Sequence, residues 1–182
     1  VIPRHFTALL CALRRLKAAG TELHYIHGNH DFWAGDFFEN EIGARVHPDS
    51  YTFTFKAQRV YVCHGDGLDP RDHGYRILKK ILRNPLCVKL YRLIHPDLGY
   101  AMARSCSDLS RHKKPGDNCL AYVESAKKKF DQGYNRVVYA HTHKPDTFKR
   151  EGNIYVNTGN WIEDFSYAVL DSESLHLKQW NR

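Results

Sequence analysis

The chain has 182 residues, of which 42% are hydrophobic and 26% charged. That length fits one domain with a core of its own, and the composition excludes a disordered chain, a collagenous or coiled-coil rod and a disulfide scaffold. Lys and Arg number 27 against 20 Asp and Glu, a formal charge of +7, which favours anionic partners such as nucleic acid, phosphorylated metabolites or an acidic membrane surface.

The predicted elements run as follows. Phe6, Leu9, Leu10, Leu13 and Leu16 recur at helical spacing and predict a helix over 4–19, stopped by Gly20. A short strand over 22–26 leads into Gly28-Asn29-His30-Asp31, and 36–41 reads as a helical turn. Strands are predicted over 44–47, 51–56 and 59–63, the last running into His64-Gly65-Asp66. Residues 73–112 read as helical, broken near Pro85 and Pro96, and a further helix over 118–131 stops at Gly133. A strand over 136–140 ends in His141-Thr142-His143, followed by strands over 147–150, 153–157, 167–170 and 175–180. No run approaches the 18 apolar residues of a membrane span. The five cysteines (11, 63, 87, 106 and 119) form no Cys-x-x-Cys pair and read as reduced thiols of a cytoplasmic protein.

Three polar clusters share one context. Gly28-Asn29-His30-Asp31, His64-Gly65-Asp66 and His141-Thr142-His143 each follow an apolar strand directly, and loops at the ends of neighbouring strands gather on one sheet edge, where ligands bind. Imidazole nitrogen and amide oxygen suit borderline divalent ions. A two-ion site also needs a bridging carboxylate. Asp31, Asp66 and Asp69 lie near the clusters, but none reads as that bridge. A single strand-end histidine is more often an ordinary hydrogen-bonded residue, and Gly-Asn-His-Asp alone can be a turn. Order and shared placement single these three clusters out. His5, His24, His47, His112 and His176 are read as ordinary.

In that order the clusters resemble the later motifs of the calcineurin-like metallophosphoesterases, with Ala140 where the family usually carries Gly before His-x-His. The resemblance implies a mixed α/β fold, a four-layer αββα sandwich of two mixed β-sheets with an inserted helical cap at about 70–115 in a single domain 1–182. It implies two divalent metal ions, with Mn²⁺ the expected metal, Asn29, His64 and His141 on one ion and His143 on the other. His30 is implied to contact the phosphate or protonate the leaving group, with Asp31 orienting it. The family's Asp-x-His and Gly-Asp motifs do not occur upstream of these clusters. The resemblance places them before the helix 4–19, so the chain is expected to lack its first segment and to be inactive by itself.

His64-Gly65-Asp66-Gly67, Asp72-His73-Gly74-Tyr75, Arg83-Asn84-Pro85 and His95-Pro96-Asp97 are similar to the UDP-2,3-diacylglucosamine pyrophosphohydrolase branch of lipid A biosynthesis. This implies hydrolysis of a nucleotide-linked glycolipid to UMP and a sugar phosphate, with Tyr75, Arg111, Lys113 and Lys114 as further substrate contacts. The better-known members carry Arg where His30 stands. Residues 73–95 hold six Lys/Arg and no Asp or Glu, interleaved with apolar residues, a pattern that can rest on an anionic bilayer or cap acyl chains or simply pack as ordinary helices. A cytoplasmic enzyme peripherally associated with the inner membrane is therefore expected, with no nucleic-acid partner and no obligate protein partner. Two other readings stand beside it: a metallophosphoesterase for another phosphodiester or phosphomonoester, and a non-enzymatic basic membrane-binding module whose histidines are structural.

Overall fold

The computed structural model describes residues 6–29, 31, 34–71, 73–91, 93–95, 98–99, 101 and 119–181. Helix α1 (Thr7–Ala18) is closed by Gly20 at φ 91°, with the Thr21 N–H on the Leu16 carbonyl at 3.1 Å, the left-handed ending expected of that glycine. Strand β1 (His24–Ile26) pairs in parallel with β2 (Arg45–His47). Between them the expected turn is a wide helical turn, Phe38–Ile42, ended by Gly43 at φ 74°.

The centre of the molecule is a five-stranded mixed sheet. It is built from β3 (Ser50–Phe55), β4 (Gln58–Cys63), β5 (Arg136–Tyr139), β6 (Pro145–Arg150) and β7 (Asn153–Thr158), in the order β3-β4-β5-β7-β6. The β4–β5 and β5–β7 pairs are parallel, and the two outer pairs are antiparallel. A parallel neighbour needs a long crossover. The one from β4 to β5 carries α2 (His73–Leu82), α3 (Pro85–Tyr91) and α4 (Cys119–Asp131). The expected break at Pro85 is a capped helix start: Asn84 Oδ1 accepts the Leu86 N–H at 2.9 Å, with Pro85 in the first helical position, where its missing N–H is harmless.

Alternation along β5 and β7 divides the core between two layers. Val137, Tyr139 and Tyr155 face α4, packing with Cys63, Tyr122, Ala126 and Phe130. Val138, Ile154 and Val156 face the hairpin β8 (Ser166–Leu170) and β9 (Leu175–Gln179), packing with Leu175 and Leu177. The mixed α/β class expected from the sequence is thus present. Among the described residues, a helix layer, the central sheet and a second β layer are stacked. That second layer is not one continuous sheet: β1–β2 and β8–β9 are separate two-stranded pieces. No helix among the described residues is long and apolar enough to cross a membrane.

Candidate active site

Because β4, β5 and β7 are successive parallel neighbours, their C-terminal ends open onto one edge. His64 follows β4 and His141 follows β5, so their side chains meet across two adjacent strands. The His141 Nδ1 lies 3.2 Å from His64 Nε2, and the rings are edge to face at 5.1 Å between centroids. Asn29, on the turn after β1, closes the group with its Oδ1 2.9 Å from the same His64 Nε2.

One ring nitrogen therefore faces both an amide oxygen and a second ring nitrogen. A single proton on it serves only one of them well, whereas a cation serves all three donors. Ligands held at about 2.0–2.2 Å around one ion stand about 2.8–3.6 Å apart, and the two contacts at His64 fall in that range. This donor set fits a divalent ion of borderline character. Among the described residues no group of three or more His, Cys, Asp or Glu side chains comes together in this way; the set consists of two imidazoles and an amide.

The loops beneath are fixed partly by residues of the motifs themselves and partly by Tyr25, Tyr122, Asn157 and Asn160, which lie outside them. At the first, Gly28 packs so closely that a Cβ there would lie 3.1 Å from His64 Cε1. Asp31 closes that turn: its Oδ1 accepts the Gly28 N–H at 2.5 Å and its Oδ2 accepts the Tyr25 hydroxyl. Burial, then this bond, push the Tyr25 phenol above its ordinary value. Asp31, expected to orient His30, also holds the backbone of its own turn and Tyr25. At the second, Gly65 sits at φ 101° with its carbonyl accepting the buried Tyr122 hydroxyl at 2.8 Å. At the third, His141 sits at φ 67° and the Thr142 N–H bonds the Ala140 carbonyl at 2.8 Å. That i to i+2 closure is the form of a γ-turn and stores strain. Buried Asn157 supports it, donating to the same Ala140 carbonyl at 2.9 Å. His143, at φ 57°, is exposed and is held through its carbonyl by Asn160 Nδ2 at 3.2 Å. Asn157-Thr158-Gly159-Asn160 spans the end of a strand, β7, next to where the other clusters begin, and that shared context is the signal that could have found it.

Lys79 and Arg83, two of the six basic residues of the 73–95 stretch, turn inward. Lys79 Nζ lies 2.8 Å from Asp66 Oδ2 and 3.1 Å from the Asp66 carbonyl. Arg83 approaches the same carboxylate at 3.7 Å and Asp49 at 2.5 Å. The reason is the Asp66 side chain, only 4% exposed: a buried carboxylate draws cations to itself. Asp69 is satisfied separately by Arg71, which holds it below the usual carboxylate range. Tyr75 lies on α2 with its side chain outside the description, and His30, Arg111, Lys113 and Lys114 lie outside the described residues.

No family model matches the chain. Curated relatives do. A UDP-2,3-diacylglucosamine hydrolase of Porphyromonas gingivalis is 28% identical over 98% of this chain and 76% of its own length. One from Pseudomonas savastanoi pv. phaseolicola is 31% identical over 97% of this chain and 75% of that relative. The chain belongs to the UDP-2,3-diacylglucosamine hydrolase family. The membership agrees with the metallophosphoesterase resemblance carried by the three strand-end motifs, and it makes the protein a hydrolase of that type. One further relative, from Pseudomonas putida, is 31% identical over 79% of this chain and 62% of its own length. Among solved structures, vacuolar protein sorting 29 from Cryptosporidium parvum superposes over 99% of this chain and 88% of its own, with TM-score 0.42 and 12% identity.

Proposed function

We propose that this member of the family hydrolyses the pyrophosphate bond of UDP-2,3-diacylglucosamine, giving UMP and 2,3-diacylglucosamine 1-phosphate, in a reaction that depends on two divalent ions, Mn²⁺ foremost. The observation that carries the reading is the meeting of Asn29 Oδ1, His64 Nε2 and His141 Nδ1 at three strand ends. The substrate rests on the names of the relatives. When bound, the ions supply Lewis-acid polarisation of the phosphoryl oxygens and a nucleophile from water at neutral pH.

The chain's own residues do the rest. Asn29, His64 and His141 hold one ion, and His143 serves the other. His30 directly follows Asn29 in sequence and is assigned to the phosphate, where it donates a proton to the bridging oxygen as that oxygen leaves with the departing phosphate; the bond from water oxygen to the attacked phosphorus forms, and the water's proton passes to solvent. Asp31 and Tyr25 keep the turn that carries both residues in place. Tyr75, Arg111, Lys113 and Lys114 are assigned to the substrate's charged and polar groups. The segment at about 70–115 acts as a cap over the acyl chains, and the protein works in the cytoplasm against the anionic face of the inner membrane. Supporting this, Ile77 on α2 and Leu86 on α3 are 62% and 63% exposed, and His73, Arg76, Ile77 and Lys80 line a groove of about 190 Å³ on α2.

The test is UMP release from the UDP-linked glycolipid by the full-length protein, before and after chelation and Mn²⁺ return. The reading expects release that falls with chelation and recovers with Mn²⁺. Release indifferent to chelation, or hydrolysis of simple diesters with none of the glycolipid, would overturn it.

A further inference from the structure

The loop 159–165 after β7 is tied down along its length. Asn160 Oδ1 accepts the N–H groups of Ile162 and Glu163 at 2.9 and 2.7 Å, and its Nδ2 donates to Asp164 Oδ2 at 2.7 Å and to the His143 carbonyl at 3.2 Å. Gly159 stands at φ +67°, and a Cβ there would lie 2.5 Å from Pro145 Cγ and 2.6 Å from Ser166 Oγ. Nothing but glycine fits. Gly159 N–H also bonds Asn157 Oδ1 at 3.1 Å, which links this loop to the residue that supports the His141 turn. The loop and the His141–His143 turn are one hydrogen-bonded unit at the edge where the site lies.

This fixed loop presents a large aromatic residue to solvent. Trp161 is 56% exposed and Ile162 80%, and the indole is braced by Phe165 and Tyr167, each at 5.9 Å and steeply inclined to it. An aromatic residue on a pre-ordered loop loses little conformational freedom when it binds. The next two residues, Glu163 and Asp164, are acidic, which disfavours contact with an anionic bilayer and suits a neutral ring that carries an imide N–H donor.

We propose that Trp161 is the stacking platform for the uracil ring of the UDP-linked substrate. The proposal rests on the diphosphate-hydrolysis reading above and adds to it the place of the nucleobase: beside His143, at the β7 side of the site. Base–aromatic stacking commonly changes affinity about 5- to 150-fold.

The experiment measures UMP and ribose 5-phosphate binding by calorimetry on the Mn²⁺-loaded full-length protein, together with steady-state kinetics. Trp161→Ala is expected to weaken UMP by at least about fivefold and to leave ribose 5-phosphate unchanged. It should raise KM for the UDP substrate with kcat little altered. Trp161→Phe, which keeps a ring, should stay close to wild type in every measure. Unchanged UMP binding overturns the proposal. So does equal loss of both ligands, which marks a structural role. If UMP binding depends on Trp161 but the glycolipid is not hydrolysed, the reaction assigned above fails and the base site stands.

Discussion

Gly28 shows how a residue without a side chain serves a metal site. The Cβ of an alanine there would lie 3.1 and 3.2 Å from His64 Cε1 and Nε2, so the imidazole would have to retreat by a few tenths of an ångström. Gly28→Ala is therefore expected to lower Mn²⁺ affinity by about tenfold, the lower end of what misplaced ligand support costs. Its melting temperature should remain within a few degrees of wild type. Paramagnetic resonance titration and thermal melting check both halves. Away from the site, His24 Nδ1 and His47 Nε2 are 2.9 Å apart, and Tyr51 stacks on both rings. Burial, then His24 and Arg45, lower the His47 pKa. Glu22 lies beside His24 and Arg45, at 3.9 and 3.3 Å. A histidine whose folded pKa is depressed binds protons more readily when unfolded, so stability rises with pH and falls on acidification below about 6.5. Melting temperature measured between pH 7.5 and 5.5 should drop more steeply for wild type than for His47→Gln.

At the scale of elements, the strand ends were legible because an apolar strand running into Gly, Asn and His is a local pattern. The order of the sheet was not local, yet its parallel centre is what sets His64 beside His141. The basic stretch 73–95 was legible only in part. Its spacing shows that α2 has two faces, but not that Asp66, 13 residues before Lys79, is buried under one of them. Buried Asp66 thus clamps α2 against the loop that carries His64, leaving Arg76 and Lys80 on the exposed side. Removing the Asp66 charge leaves Lys79 and Arg83 facing an uncharged partner. Asp66→Asn is expected to cost about 2–4 kcal/mol, whereas Lys80→Met should change stability by no more than about 0.5 kcal/mol. Urea unfolding of the two variants decides between this clamp and an ordinary surface pair. Tyr25 escaped the sequence for a related reason, since its hydroxyl acts through a hydrogen bond to Asp31 that leaves no periodic trace; Asn157 and Asn160 had only their place at a strand end to mark them.

Across the whole molecule, the charge of +7 is divided between interior clamps and outward patches. Vesicle binding of the full-length protein should depend on the outward cations. Arg76→Glu with Lys80→Glu is expected to weaken it markedly, since each basic residue near an anionic surface contributes about 1 kcal/mol. Unchanged sedimentation with anionic vesicles would return α2 to ordinary packing. The central claim, however, concerns the site at the strand ends, and the most direct measurement is bound Mn²⁺ per protein in dialysed wild type and in His64→Ala, His141→Ala and His30→Gln, read beside the rate of UMP release. The account predicts that the His64 and His141 variants lose metal and activity together. The His30 variant should keep metal near the wild-type level while its rate falls about 10²–10⁴-fold, as for a lost general acid. Metal retained without His64, or lost without His30, would contradict it.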